Sequence, residues 1–218
     1  TPCTSYTIGY DANDSIVLVK VHEADWAKIL KVKLGRGEAE DKRMIRLIRS
    51  VSDKPIYVDA NQGWPTKEHA LMMCQWLAKQ GVVMIEQPMP KHMDEEHKWL
   101  CEQVELPILA DEACQTYDDV ARLAPYYDGI NIKLMKCGGL AEARKMITLA
   151  RELGKQVMIG CMTETRAGIS AATTLSPLVD YADLDGHVLL GNDPYDGIQI
   201  VDGKLTLVDK PGTGVSPL

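Results

Sequence analysis

Eight short runs of β-branched and apolar residues recur along the 218-residue chain; four of them end in a charged side chain and two more carry one just before their last residue. They are 5–9 (SYTIG), 29–34 (ILKVKL), 55–60 (PIYVDA), 82–86 (VVMIE), 107–111 (PILAD), 129–133 (GINIK), 156–160 (QVMIG) and 181–185 (YADLD). Amphipathic stretches separate them. Residues 116–125 carry Val120, Leu123 and Ala124 at helical spacing, and residues 139–153 carry Leu140, Ala143, Met146, Ile147, Ala150 and Leu153. Thr66 reads as an N-cap and Gly81 as a C-terminal stop around a third such stretch. Strands alternating with helices imply a parallel α/β architecture. No Gly-rich phosphate loop follows the first run, which argues against an open nucleotide-binding sheet. A count of eight favours a closed (β/α)8 TIM-type barrel, although the chain is shorter than the ~250 residues typical of that fold. No linker divides it, so residues 1–218 read as one catalytic barrel domain with a short C-terminal tail over about 195–218.

Apolar residues make up 45% of the chain and charged residues 25%, with a net charge of −7. With no Lys/Arg-rich block, nucleic acid and anionic membranes are excluded as partners. Six cysteines without a C-x-x-C pair read as reduced thiols of a cytoplasmic protein. No apolar run reaches membrane-spanning length. The chain opens on "TPCTSYTIGYD" without an initiator Met, as a fragment or processed product would.

In a barrel of this kind the active site lies at the carboxyl ends of the strands. Those ends supply Lys33 from the second run, Asp59 and Asn61 from the third, Glu86 from the fourth, and Asp111 and Glu112 from the fifth. The sixth gives Lys133 and the eighth Asp183 and Asp185. Asp59, Glu86 and Asp111 come from consecutive strands, so they are neighbours on the rim. Three carboxylates there repel one another unless a cation joins them, and an all-oxygen set suits a hard divalent ion, Mg²⁺ first and Mn²⁺ second. Taken singly, each is equally a helix cap or loop-start carboxylate.

Strand alternation puts Lys31 and Lys33 on one face of ILKVKL and Leu30, Val32 and Leu34 on the other. An exposed edge strand would explain two such lysines. The barrel interior explains them as well. Strands two and six lie opposite each other, so Lys33 and Lys133 would face across the mouth. Nearby ammonium groups and a metal cation would lower each lysine's hold on its proton. Two such bases on opposite faces of one carbon can remove a proton and return it from the other side.

The motifs "KVK" (31–33), "VDANQGW" (58–64), "IEQP" (85–88), "LADE" (109–112) and "NIKLMKCGG" (131–139) together resemble the barrel domain of the enolase superfamily, muconate-lactonizing subgroup. The resemblance covers the whole chain. It implies Asp59, Glu86 and Asp111 as Mg²⁺ ligands, Lys33 and Lys133 as acid/base catalysts and Lys31 as a supporting cation. It also implies proton transfer through a metal-stabilised enolate. Asn61 and Glu112 belong to the same motifs as supporting residues. "DLD" at 183–185 is similar to the motif of dipeptide epimerases, in which two carboxylates hold the substrate's free α-ammonium; both side chains of a D-x-D point to one face. "MTETRAG" (162–168) resembles the seventh-strand loop that lines the substrate pocket, which brings in Thr163 and Glu164.

The activity so implied is epimerisation of an L-Ala-L-Glu-type dipeptide at its second α-carbon. o-Succinylbenzoate synthase, N-acylamino acid racemase and muconate cycloisomerase share the metal and lysine set, but their substrates offer no ammonium to "DLD". An inactive barrel serving as a binding or assembly module is an alternative of another class. A metal-dependent barrel aldolase would need a Schiff-base or His cluster that is absent. "DKPGTGV" (209–215) resembles the end of family chains, whereas the N-terminal α+β capping domain of the family does not precede Thr1. The expected partners are therefore a small dipeptide and a capping domain, from the same gene or a separate chain. Homo-oligomerisation is left open. The five histidines show no ligand spacing; His69, His92 and His97 are expected on helices in surface or cap roles.

Overall fold

A computed structural model describes residues 1–218. Its strands are β1 (Ser5–Ile8), β2 (Ile29–Lys33), β3 (Ile56–Asp59), β4 (Val82–Glu86), β5 (Ile108–Ala110), β6 (Gly129–Lys133), β7 (Gln156–Gly160) and β8 (Tyr181–Asp183). They pair in parallel in sequence order, and a parallel bridge between Thr4 and Ala182 closes the ring. Helices α1 (Asp14–Glu23), α2 (Glu38–Arg49), α3 (Lys67–Ala78), α4 (Asp94–Gln103) and α5 (Tyr117–Leu123) each return the chain to the next strand. After β6 the return uses a four-residue α6 (Leu134–Cys137) and then α7 (Leu140–Glu152); after β7 it uses α8 (Arg166–Thr173). The fold is a (β/α)8 barrel.

Side-chain alternation sorts each strand into two environments. On β2, Leu30 and Val32 point outward and are fully buried against the helices, within the large apolar shell that includes Ile45, Ile48, Val58 and Ile85. Lys31 and Lys33 point inward. The interior near the amino ends of the strands holds a separate apolar plug of Tyr57, Met84, Leu109 and Met158, flanked by Ile29 and Tyr181. Two residues further along each of three strands, Tyr57 gives way to Asp59, Met84 to Glu86 and Leu109 to Asp111.

β1, β2, β3, β5 and β8 are shorter than their runs, and at the ends of β5 and β8 side chains take the next backbone amides. Gln87 Oε1 accepts from the Asp111 N–H at 3.0 Å, ending β5, and Thr4 Oγ1 accepts from the Leu184 N–H at 2.9 Å, ending β8. Asp185 therefore sits in the turn beyond β8. The helix starts behave as their sequences suggest: the Thr66 side chain accepts from the His69 N–H. His92 lies in a turn rather than a helix, and His97 is fully buried, with Nδ1 2.7 Å from the Met93 carbonyl and its ring 4.5 Å from that of Tyr127. It is a core residue, not a surface one.

Beyond β8 the chain forms β9 (Tyr195–Asp196), β10 (Gln199–Val201), β11 (Lys204–Thr206) and β12 (Ser216–Pro217), paired as two small antiparallel ribbons. Ile198 and Leu205 bury into the apolar shell, and the Thr4 N–H donates to the Gly203 carbonyl at 2.9 Å, which ties this tail to the start of β1.

Candidate active site

The inward residues at the carboxyl ends of the strands form one continuous ionic cluster. Lys31 is 1% exposed, and its Nζ lies 2.7 Å from Asp183 Oδ2, 2.7 Å from Glu86 Oε2 and 3.3 Å from Asp59 Oδ2. Lys33 Nζ is 2.6 Å from Asp59 Oδ2, and its side chain is 35% exposed, so it reaches the mouth. Across the ring Lys133 Nζ donates to Asp111 Oδ2 at 2.7 Å. Lys136 Nζ donates to Asp111 Oδ1 at 2.7 Å and to two backbone carbonyls. Ser5 Oγ donates to Asp183 Oδ1 at 2.7 Å, and the Thr7 N–H donates to Asp185 Oδ2 at 2.7 Å.

One glycine makes room for part of this cluster. Gly160 faces inward on β7, where a Cβ would stand 2.5 Å from Asn131 Oδ1. The space lets the Asn131 amide donate to Glu86 Oε1 at 2.8 Å.

Burial would lower the Lys31 ammonium, but the charges of Asp183, Glu86 and Asp59 push it well above the ordinary lysine range. Burial likewise works against Lys133, yet Asp111 and Glu86 raise it. Lys31 lowers it, as neighbouring ammonium groups do, but within the chain's own charges the carboxylates outweigh Lys31. Asp111 is held down despite its burial by Lys136, Lys133 and Lys31. Glu86 goes the other way. Burial and the Asp59 charge push it up to about 8, even with Lys31 beside it.

One oxygen from each of Asp59, Glu86 and Asp111 lies within 4.8 Å of the other two. Glu86 is fully buried, with Oε2 2.7 Å from the Lys31 ammonium and Oε1 accepting from Asn131, so its oxygens lie inside the ring of the triad. The donor set is all oxygen, from three adjacent strands. These residues fit a hard divalent cation.

Beside this triad is a cavity of about 220 Å³ lined by Lys31, Lys33, Lys133, Thr163, Asp183 and Asp185, among others. Residues 17–218 of the chain match the sequence profile of the enolase C-terminal domain-like family. The chain belongs to that family. It is 55% identical over 216 residues to the L-Ala-D/L-Glu epimerase of Bacteroides thetaiotaomicron, a match covering 99% of this chain and 56% of that protein. The L-Ala-D/L-Glu epimerase of Escherichia coli is 42% identical over 181 residues, 83% of this chain and 55% of that one. Among solved structures, the dipeptide epimerase of Enterococcus faecalis V583 complexed with Mg and L-Leu-L-Tyr superposes with a TM-score of 0.89 at 35% identity, covering 98% of this chain and 63% of that one. The chain thus spans between about half and two thirds of the length of these relatives.

This enolase-family barrel gathers most of the residues singled out from its sequence. Asp59, Glu86, Asp111, Lys31, Lys33, Lys133, Asp183 and Asp185 share one rim. Asn61 and Glu112 pair at its edge, with Asn61 Nδ2 3.3 Å from Glu112 Oε1, and the Asn61 N–H donates to Asp59 Oδ1 at 3.0 Å. Thr163 lines the cavity but Glu164 does not: its Oε1 accepts from the Met162 N–H at 3.0 Å, which folds the side chain back on its own loop. The D-x-D pair is unequal. Asp183 has both oxygens engaged, by Lys31 and Ser5, whereas Asp185 takes the Thr7 N–H on Oδ2 and keeps Oδ1 for a guest.

Four residues escaped the sequence reading: Ser5, Thr7, Asn131 and Lys136. Asn131 and Lys136 flank Lys133 in "NIKLMK", and an inward-facing polar residue two positions before Lys133 was a usable signal. Gln87 also acts here. It adopts a φ of +37°, and its Oε1 accepts from the N–H groups of Asp111 and Ala113, which fixes the turn carrying Asp111.

Proposed function

We propose that this barrel carries the active site of a Mg²⁺-dependent dipeptide epimerase acting by 1,1-proton transfer at the α-carbon of the second residue, on substrates of the L-Ala-L-Glu type. The observation that carries this reading is the cavity lined by Lys33, Lys133 and Asp185 beside the carboxylate triad, with Lys33 paired to Asp59 and Lys133 to Asp111. Asp59, Glu86 and Asp111 would hold the metal; Mn²⁺ suits the same oxygens. Bound there, the cation supplies positive charge for the substrate carboxylate and offsets the carboxylate charge that strengthens Lys133's hold on its proton.

The remaining steps fall to the chain's own residues. Asp185, backed by Asp183, takes the α-ammonium of the first residue through charge-assisted hydrogen bonds. This fixes the second α-carbon between the two lysines. Lys33, at the open mouth, takes the α-proton from one face. Lys133, kept protonated by Asp111, returns a proton to the opposite face and inverts the centre. Each lysine then exchanges with solvent, so either epimer can serve as substrate. Lys31 lines the inner wall of the cavity, holds Glu86, Asp59 and Asp183 in place and serves as the supporting cation. Asn61 and Glu112 brace the metal edge. Thr163 walls the first-residue end.

Relatives extend beyond the region matched here, and a capping domain, in the same or another chain, would cover the mouth. The six free thiols fit a reducing compartment, and we assign the cytoplasm. No helix is long and apolar enough to cross a membrane.

The test is proton exchange in D₂O with Mg²⁺, followed by NMR. L-Ala-L-Glu should gain deuterium at the second α-carbon and convert to its epimer, while N-succinyl amino acids, which lack the ammonium, remain unlabelled. Exchange of the N-succinyl compounds alone would refute the dipeptide reading.

A further inference from the structure

Lys33 ends β2 at the barrel mouth, and the turn that follows it is tied down by a side chain from another element. The Leu34 N–H still donates to the Asp59 carbonyl at 2.8 Å. Beyond it, the Gly35 and Arg36 N–H groups find no backbone acceptor. Both go to Asp41, in the first turn of α2: Oδ2 accepts from Gly35 at 3.1 Å and Oδ1 from Arg36 at 3.0 Å. Asp41 Oδ2 also accepts from Trp64 Nε1 at 3.0 Å. Asp41 is 1% exposed and Trp64 is fully buried. Buried carboxylates usually pair with a cation, and Asp59, Glu86, Asp111 and Asp183 each touch a lysine. Asp41 instead spends its charge on three N–H donors from two loops.

Those loops are held differently. The loop after β3 runs on beside the loop after β4, with N–H groups donating from Ala60 to the Glu86 carbonyl at 3.1 Å, from Gln62 to Gln87 at 2.8 Å and from Trp64 to Pro88 at 3.0 Å. It is a fixed wall. The turn after β2 lies hard against that wall. A Cβ on Gly35 would stand 2.1 Å from the Ala60 carbonyl oxygen, and one on Gly63 would stand 2.3 Å from Gly35 Cα. Gly35 also has a φ of +88°, which only glycine adopts without cost. Close packing of this kind excludes positions but bonds nothing. Asp41 supplies the bonds, joining Trp64 in the wall to Gly35 and Arg36 in the turn.

We infer that Asp41 is a positioning residue for Lys33: by clamping the turn after β2 onto the loop after β3, it sets where the Lys33 ammonium stands over the substrate. This rests on the epimerase reading above. Lys133 does not depend on the clamp, because it stands across the ring on Asp111, which Lys136 also holds. Asp59 is kept in place by the pairing of β3 with β2 and β4. The clamp therefore acts on one face of the reacting carbon.

The experiment uses the full chain loaded with Mg²⁺ and follows loss of the second α-proton from each epimer of Ala-Glu in D₂O by NMR. With Lys133→Met only the epimer facing Lys33 should exchange, and with Lys33→Met only the other. Asp41→Asn is then added to each, an isosteric change that turns one accepting oxygen into a donor. In the Lys133→Met chain it should slow exchange about tenfold, short of the ~10²-fold that a 1 Å misplacement can cost. In the Lys33→Met chain exchange should stay within about twofold, as for independent sites. Trp64→Phe removes one of the three bonds and keeps the charge, so it should show the same asymmetry at about threefold, and it carries the comparison if Asp41→Asn does not fold. A merely structural role lowers the folded fraction and slows both faces alike. Equal slowing in the two backgrounds, or none in either, overturns the proposal. If the unmodified protein exchanges neither epimer, the epimerase reading itself fails, an outcome separable from the others because it precedes any substitution.

Discussion

The two ends of the barrel interior are built from the same strands and could hardly differ more. Toward the amino ends, Tyr57, Met84, Leu109 and Met158 pack as a dry apolar plug. Two residues further on, Asp59, Glu86 and Asp111 stand among Lys31, Lys133 and Asp183, all buried. The first arrangement stabilises the fold by removing apolar surface from water. The second works against it, since each buried ion loses hydration that its partners only partly restore. A barrel tolerates such a layer because the plug below and the apolar shell outside carry the fold. Strand periodicity lets a step of two residues exchange stability for chemistry without altering the backbone.

The largest effect should come from breaking the upper layer at a point where the fold does not depend on it. Lys133→Met removes one of the two proposed acid/base groups, and general acid–base catalysis is worth about 10²–10⁴ in rate. Asp111 keeps Lys136 at 2.7 Å, so its buried carboxylate is not left unpaired. Epimerisation should fall by about that factor with little change in the circular dichroism spectrum or melting temperature. Near-normal inversion in this variant would remove Lys133 from the mechanism.

A matched pair of substitutions sharpens the contrast in stability. Lys31→Met takes the shared cation away from Glu86, Asp59 and Asp183, and breaking a buried ion pair in this way costs about 3–5 kcal/mol. Met158→Ala in the plug leaves a cavity, at about 2–5 kcal/mol. The two should look alike in urea denaturation and unlike in metal binding. Lys31→Met disorders the triad and should weaken Mn²⁺ binding, followed by electron paramagnetic resonance. Met158→Ala should leave it unchanged. Equal metal affinity in both variants would mean that Lys31 does not organise the carboxylates.

Much of this division is legible in the amino-acid sequence, since it depends on period-two alternation and on polar residues at strand ends. That pattern puts Lys31 and Lys33 on one face and the triad on consecutive strand ends, while an edge strand or helix caps would explain them singly and the family resemblance supplies the roles. What is not legible depends on contacts between distant segments. Glu164 has the composition of a pocket residue, yet the nearest unpaired donor is the Met162 N–H, two residues away, and the loop closes on itself. Asp183 and Asp185 share a face, but Ser5 lies 178 residues from Asp183 and consumes one of its oxygens, so the pair is asymmetric in a way no local pattern reveals. Lys136 returns to Asp111 because the four-residue α6 turns it inward, a geometry that "KLMK" does not announce. The left-handed backbone at Gln87 has no residue-type signal either, because the strain is held by its own side-chain bonds to the Asp111 turn.

Asp185 offers the smallest effect and the finest test, because there the two demands act on one atom. Burial and the neighbouring Asp183 charge push its carboxyl up to about 6, against the help of the Thr7 N–H. An unfolded aspartate loses its proton near pH 4. Between these values the folded chain keeps a proton that the unfolded chain has released, so this group favours folding most below pH 4 and progressively less as the pH rises to about 6. Asp185→Asn removes that dependence and should stabilise the protein at pH 8 by about 1–3 kcal/mol relative to its effect at pH 4. Dipeptide binding should move the other way. The ammonium needs the ionised carboxylate, so affinity in the unmodified protein should rise from pH 5 to pH 7. In Asp185→Asn it should be lower and flat over that range. A variant that gains stability at pH 8 and loses the ammonium's grip would show at a single residue what the two ends of the barrel show together. One that keeps its affinity would place the substrate's amine elsewhere.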